Sequence, residues 1–418
     1  MDFVSGIKAP SFSLRSTDDT MLNLSDLAGR HGTVVVFICN HCPYVVRALE
    51  DMKFEAQALQ KEGIEVIAIC SNDPIKYPDD SFDSMQKFAA KNAFNFPYLH
   101  DEDQSVARAY DAQCTPDFFG FNSAMELEYR GKVIPISEAK ISVLDWGLTR
   151  SDITYDVVHV WNGAFFRIDD YLKRFMTSMS KLRLDVGLDE EQIRSALINL
   201  ISTSGLKSAY VSMVASRGTP IIPGTRDPRS CKNHFYAWAV PFVWVIPQEV
   251  AKRGAHISIA KETRRISAQS VDPTVKNYHW GDMTAALFQA LDVGYDTTVL
   301  LDQDDHITEG PGFNIFAVID GKVVTPKSGA LEGITRKTVF DICSELQIPC
   351  AATNISAMEL QNADEVFTAT TAGGIVPVTR VDGRILSNDA AGEVAQKILD
   401  TYWDFHKRPD LNTEIIYK

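Results

Sequence analysis

Asp272-Pro-Thr-Val-Lys-Asn-Tyr-His-Trp-Gly281 places a lysine among turn residues and aromatic rings, just ahead of the apolar helical pattern Met283-Thr-Ala-Ala-Leu-Phe-Gln-Ala-Leu291. A lysine partly withdrawn from water at such a place is nucleophilic, because burial disfavours the ammonium form. On its own, Lys276 reads as a solvated surface residue. Its companions along the chain change that reading. Glu309 lies in His306-Ile-Thr-Glu-Gly-Pro-Gly-Phe-Asn314, a carboxylate in a glycine turn between strands. Gly333-Ile-Thr335 opens a helix whose unpaired N–H groups favour an anion, and Thr370-Thr371 offers hydroxyls and N–H groups at a second turn. Arg174 lies one helical turn beyond Asp170, where it either faces solvent or makes a forked contact with a phosphate. A capped helix end or a surface arginine would explain any one of these. Together, in this order, they describe a site for a phosphorylated cofactor that carries an aldehyde.

The segments around these residues read as alternating strands and helices. Ala139 to Leu144 and Val157 to Trp161 have strand patterning, and Asn162-Gly163 is a hairpin turn into Phe165-Phe-Arg167. Helices are expected from about Ile168 to Leu184 and from Asp189 to Thr203, then apolar strands at Tyr210 to Ala215 and Phe235 to Val245. Pro241 marks the last of these as an edge strand or a bulge. The polar stretch Pro247 to Gly254 reads as a linker. A helix is expected to begin just after Lys276.

The first part of the chain has a different character. Thr33 to Ile38 and Glu65 to Ile69 are buried strands separated by an amphipathic helix from Cys42 to about Lys61. Cys39-Asn-His-Cys-Pro43 sits where the first strand ends and that helix begins. Two thiols at this spacing can close a disulfide, and a helix N-terminus stabilises a thiolate. Two buried cysteines or half of a metal site are the competing readings, but no second pair at this spacing completes a zinc site, so no metal is expected.

Composition limits the rest. With 41 basic against 55 acidic residues and a net charge of −14, the chain is not built as a general nucleic-acid or anionic-membrane binder, so its expected partners are small molecules. The start, Met1 to Ser5, lacks a basic run leading into an apolar core, and cytoplasmic residence is the expectation. The 418 residues exceed one ordinary core.

From Val133 onward the chain resembles the class IV aminotransferases of fold type IV, and within them the (R)-selective amine transaminases. The stretches that carry the resemblance are Ser151-Asp-Ile-Thr-Tyr-Asp156, Val160-Trp-Asn-Gly163, Arg167-Ile-Asp-Asp170, Ser216-Arg-Gly218, Asp272 to Asn277, Thr308-Glu-Gly310, Gly333-Ile-Thr-Arg-Lys-Thr338 and Thr370-Thr-Ala-Gly-Gly374. The resemblance implies pyridoxal 5'-phosphate as cofactor, with Lys276 binding it and moving the proton. Glu309 would pair with the ring nitrogen, and Arg174, Ile334, Thr335, Thr370 and Thr371 would hold the phosphate end. Tyr155, Trp280, Ala372 and Arg226 would form the substrate pocket, Arg226 taking a carboxylate. The substrates implied are a primary amine or amino acid and a 2-oxo acid, and the assembly implied is a homodimer. Branched-chain and D-amino acid aminotransferases are the alternatives within the fold. Arg150 and Tyr171 stand where the family commonly has histidine.

Residues from about Ala9 to Gly131 resemble thioredoxin-fold proteins of the peroxiredoxin-like group, through Ile38-Cys-Asn-His-Cys-Pro-Tyr44, Ser71-Asn-Asp73, Tyr77-Pro-Asp-Asp80, Phe96-Pro-Tyr-Leu99 and Cys114-Thr-Pro-Asp-Phe-Phe119. Cys39 and Cys42 would then be a redox pair faced by a cis Pro116, and a thiol-disulfide oxidoreductase is the rival function. The match stops near Gly131, short of a further helix, and Leu127 to Gly131 has a second reading as the first strand of the following half. The expected architecture is α/β and α+β. A thioredoxin-like domain spans 1–132, a small aminotransferase domain 133–247, a linker 248–254, and a large cofactor-binding domain 255–418.

Overall fold

The computed structural model describes residues 8–112, 114–132, 134–222 and 224–417. Val133, the expected start of the second half, lies outside them. The chain divides into two compact units, Met1–Lys140 with Tyr417–Lys418, and Ile141–Ile416.

The first unit carries strands β1 (Ser13–Ser16), β2 (Met21–Asn23), β3 (Gly32–Phe37), β4 (Ile64–Cys70), β5 (Tyr98–His100), β6 (Asp117–Asn122) and β7 (Leu127–Lys132). Its helices are α1 (Leu24–Leu27), α2 (Pro43–Lys61), α3 (Phe82–Lys91) and α4 (Ser105–Tyr110). The sheet runs β2-β1-β5-β4-β3-β6-β7, with β3 parallel to β4 and antiparallel to β6. Because side chains alternate along a strand, β3 and the residue after it feed two cores. Val35 and Phe37 pack with Phe12, Leu24, Val106 and Tyr110, whereas Val36 and Ile38 pack with Val45, Ala56 and Met85. Both faces of this sheet therefore carry a core. β7 pairs with β6 and completes it, which removes the second reading of Leu127 to Gly131.

The second unit opens with α5 (Trp146–Arg150), β8 (Ile153–Trp161), β9 (Ala164–Phe166), α6 (Ile168–Leu182), α7 (Glu190–Ser204), β10 (Ala209–Pro220) and β11 (Cys231–Pro241). Asn162 and Gly163 both have positive φ, 50° and 88°, the twist that a two-residue hairpin needs. Asp189 and Gln192 form a capping box that starts α7. Then come α8 (Gln248–Arg253), β12 (Ala255–Arg264), α9 (Gly281–Asp292), β13 (Thr297–Leu301), β14 (Glu309–Gly310), β15 (Phe313–Ile319) and β16 (Lys322–Pro326). The chain ends on α10 (Ile334–Glu345), β17 (Cys350–Thr353), α11 (Ala357–Asn362), β18 (Glu365–Thr370), β19 (Gly374–Val381), β20 (Arg384–Ile385), α12 (Glu393–Phe405) and β21 (Asn412–Glu414). One sheet is ordered β11-β10-β8-β9-β21, and the other β13-β12-β19-β18-β15-β16-β17 with β14 beside β15 and β20 beside β19.

Four local expectations need correction. Ala139 to Leu144 is not a strand: Val143 and Leu144 are 76% and 69% exposed, so the alternation has no core to face. β11 is an edge strand and stops at Pro241, so Val243 to Val245 lie beyond it. The polar stretch after Pro247 folds as α8, with Pro247 as its N-cap. Lys276 does not abut a helix, since α9 starts only at Gly281 and leaves the lysine in the preceding loop.

Candidate active site

That loop is tied to β8 through the lysine's own backbone. The Lys276 carbonyl accepts from the Tyr155 N–H at 3.2 Å and from Thr154 Oγ1 at 2.7 Å, so the side chain projects into a cleft while its main chain is held. The cleft is open to solvent, has an empty volume of about 840 Å³, and is lined by Lys276, Glu309, Arg174, Ile334, Thr335, Thr370, Thr371, Ala372, Tyr155 and Trp280 among others. These sequence-predicted residues thus converge from β8, α6, the 273–280 loop, β14, the start of α10 and the β18–β19 turn. Arg226 does not join them. It lies exposed on the loop before Asp227, outside the cleft lining. Arg150 is also exposed, with its guanidinium 3.3 Å over the Trp146 ring.

The lysine's chemistry follows from its surroundings. Desolvation first, and then the nearby Arg174 charge, push its amine down to about 8 from an ordinary value of 10.5. Its Nζ lies 4.7 Å from the Tyr155 ring centroid. Since the folded chain releases this proton more readily than the unfolded chain, the burial penalty on stability is full below pH 8 and fades as pH rises toward 10.5. The neutral amine is the nucleophile. Uptake of the cofactor by the apoprotein is therefore expected to accelerate with pH about a midpoint near 8, measurable by stopped-flow absorbance, and a midpoint above pH 10 would contradict this environment.

Glu309 is buried, and desolvation pushes its carboxyl up while Arg265 opposes that shift. Its Oε2 accepts from the Leu331 N–H at 3.0 Å, and its Oε1 faces the Arg265 guanidinium at 3.2 Å. Arg265 is itself anchored on Asp282 at 2.7 Å. Neither Arg265 nor Asp282 stood out in the sequence, because both belong to ordinary polar stretches and only folding brings them to Glu309.

Arg174 is forked onto Asp156, with contacts of 2.8 and 2.6 Å, and donates to the Glu332 carbonyl at 2.9 Å. Asp156 is fully buried, so this ion pair is held in low dielectric. At the start of α10, capped by Gly333, the buried Thr335 Oγ1 lacks a well-formed hydrogen bond although the Tyr171 and Tyr402 hydroxyls are close. A Cβ on Gly333 would meet Asn314 Oδ1 at 2.1 Å, which fits the tight entry to the helix. Tyr171 Oη is 2.8 Å from Thr371 Oγ1 and so positions the second turn. An unsatisfied hydroxyl at a helix N-terminus beside a buried arginine suits a phosphate. The residues present therefore fit a phosphorylated cofactor.

The first unit has its own constellation. Cys39 is 2% and Cys42 8% exposed, and the Thr115–Pro116 peptide is cis. Cys39 Sγ is 3.3 Å from Thr115 Oγ1, and Cys42 Sγ is 3.1 Å from the Thr115 carbonyl. A hydrogen bond from Cys39, supported by the N–H groups of Val45 and Tyr44 at the start of α2, draws the Cys42 thiol below its ordinary range. No helix among the described residues is long and apolar enough to cross a membrane.

Residues 154–381 match the family model of class IV amino-transferases, and residues 5–137 match that of the AhpC/TSA family. A putative branched-chain-amino-acid aminotransferase of Methanocaldococcus jannaschii is 30% identical over 68% of this chain and 97% of its own length. A D-alanine aminotransferase of Bacillus licheniformis is 24% identical over 66% of this chain and 94% of its own. Among solved structures, a branched-chain aminotransferase from Thermoproteus uzoniensis with norvaline superposes with a TM-score of 0.63 and 29% identity, over 68% of this chain and 97% of that one. Fold and cleft together define a pyridoxal-phosphate enzyme of fold type IV behind a thioredoxin-like domain. The chain belongs to the class IV aminotransferase family and is a PLP-dependent aminotransferase.

Proposed function

We propose that the enzyme is an (R)-selective amine transaminase, passing the amino group of an apolar primary amine to a 2-oxo acid. The observation that carries this reading is the charge state of the cleft walls. Besides Lys276, the lining cations are Arg174 and Arg265, and both are committed, to Asp156 and to Glu309 with Asp282. Tyr155, Val157, Tyr210, Val245 and Trp280 offer the donor an apolar and aromatic wall instead. Arg226, implied by the resemblance alone as the ligand of the 2-oxo acid carboxylate, stands exposed outside the cleft lining, and nothing in the cleft geometry supports that role.

Bound pyridoxal phosphate supplies an aldehyde for the amino group and a ring that accepts the electrons freed when the substrate C–H bond breaks. Lys276 Nζ takes and returns the substrate proton. Glu309 holds positive charge at the ring nitrogen, while Arg174, Ile334, Thr335, Thr370 and Thr371 bind the phosphate. Ala372 and Trp280 orient the substrate. Cytoplasmic residence is proposed, and a homodimer on the resemblance alone, as is a division of the second unit into a small part ending near Pro247 and a large part beginning at Ala255, with α8 between them.

The branched-chain aminotransferase reading is second, favoured by the names of the relatives. A donor panel with pyruvate and 2-oxoglutarate as acceptors separates them. Chiral primary amines are expected to be the best donors, with the (R) forms preferred. Turnover of branched-chain L-amino acids in preference to amines would overturn the first reading in favour of the second, and preference for D-alanine would overturn both.

Cys39 and Cys42 are proposed as a dithiol that cycles to a disulfide opposite Pro116, independently of transamination. The contacts of both thiols with Thr115 support this.

A further inference from the structure

Two hydroxyls of the second unit, Thr335 Oγ1 and Tyr402 Oη, are buried and close to each other, and neither has a well-formed hydrogen bond. Burying a hydroxyl without a partner is costly, so two such atoms side by side at the start of the twelve-residue helix α10 point to a ligand that uses them. Thr335 lines the cleft, whereas Tyr402 stands behind it on α12, which packs on α10, β18 and β19. The Tyr402 ring is wedged in place. A Cβ on Gly374, whose φ is 71°, would come within 2.6 Å of it, Phe166 meets it at 5.8 Å and 76°, and His406 at 4.9 Å and 68°. The hydroxyl therefore cannot swing away from Thr335. Burial also pushes its ionisation well above the ordinary range, so it keeps its hydrogen.

A threonine hydroxyl can accept one hydrogen while donating its own, and a phosphate offers only acceptors. If Tyr402 donates to Thr335 Oγ1, the hydrogen of Thr335 is left to point elsewhere. Tyr171 Oη is also nearby, but it is engaged with Thr371 Oγ1 at 2.8 Å. We propose that Tyr402 is a positioning residue of the phosphate site: its hydroxyl donates to Thr335 Oγ1 and so aims the Thr335 hydrogen at a phosphate oxygen. Tyr402 with Thr335 is then the counterpart of Tyr171 with Thr371, one tyrosine behind each threonine. The inference rests on the assignment of Thr335 to the phosphate.

The test titrates the apoprotein with pyridoxal 5'-phosphate and, separately, with pyridoxal, following absorbance. Tyr402→Phe keeps the ring and is expected to weaken pyridoxal 5'-phosphate by roughly three- to tenfold, the range of one neutral hydrogen bond. Pyridoxal, which has no phosphate, should bind this variant as it binds the wild type. Thr335→Val is expected to weaken pyridoxal 5'-phosphate too, and adding Tyr402→Phe to it should cost nothing more, because the tyrosine acts through that hydroxyl. Thermal unfolding of the Tyr402→Phe apoprotein should show no loss of stability, since the hydroxyl has no well-formed bond to lose. Equal weakening of pyridoxal, an additive double variant or a destabilised apoprotein would each show a general packing role and overturn the proposal. If Thr335→Val is impaired and Tyr402→Phe is not, this inference alone falls. If Thr335→Val binds pyridoxal 5'-phosphate as the wild type does, the assignment of Thr335 falls, and this inference with it.

Discussion

Lys276→Ala is expected to lower turnover by roughly 10³-fold or more, because one nitrogen serves both as attachment point and as proton carrier, and a positioned proton carrier alone contributes about 10²–10⁴-fold. The fold should survive. Lys276 is anchored through its main-chain carbonyl to Thr154 and Tyr155, and alanine keeps that carbonyl. Removing a desolvated amine also removes a burial penalty, so the apoprotein variant is expected to be no less stable than wild type near neutral pH. Steady-state assay and thermal unfolding of the same preparation check both parts. A variant that retains appreciable turnover would mean that another group carries the proton.

Arg174→Met is the second large effect, and it separates architecture from binding. The substitution strands the Asp156 carboxylate, which is fully buried and forked onto Arg174 by two hydrogen bonds. Breaking a buried pair on one side costs about 3–5 kcal/mol, so the unfolding midpoint should fall markedly. Adding Asp156→Asn is expected to recover much of that stability, since the uncompensated charge is gone. Cofactor affinity should not recover, because the phosphate still lacks its guanidinium. Thermal unfolding of both variants, with cofactor titration by absorbance, provides the check. Restored cofactor affinity in the double variant would show that Arg174 serves Asp156 alone.

Much of this site is legible in the sequence because each of its groups announces itself by a short-range signal. Glycine turns surround Glu309, a helix start follows Gly333, and a double threonine precedes a glycine pair at Gly373 and Gly374. The groups that tune them give no such signal. Asp156 pairs with Arg174 across a strand and a helix, Arg265 reaches Glu309 over 44 positions, and Tyr171 reaches Thr371 over 200. Periodicity reports a residue's own element and is silent on the side chain it will meet. The same holds in the first unit, where Cys39 and Cys42 declare themselves by spacing but His41 meets Asp80 only after α2 and β4 have brought the Tyr77 to Asp80 turn alongside.

Errors in the fold have equally local causes. Ala139 to Leu144 alternates like a strand, yet its apolar side chains are exposed and a pattern cannot state whether a partner exists. The helix expected directly after Lys276 is delayed to Gly281 because the intervening Asn-Tyr-His-Trp run folds into turns, with Asn277 Oδ1 accepting from the His279 N–H at 3.0 Å. The hairpin of β1 and β2 escaped notice because its strands are short and largely exposed, which leaves little apolar alternation to read.

Lys276, among all the lysines of the chain, is the one expected to hold the cofactor. Borohydride reduction of the holoprotein followed by peptide mapping tests it most directly. A single phosphopyridoxyl adduct is expected on the peptide containing Asp272 to Gly281, at Lys276, and recovery of the adduct on a different lysine, or on none, would contradict that assignment.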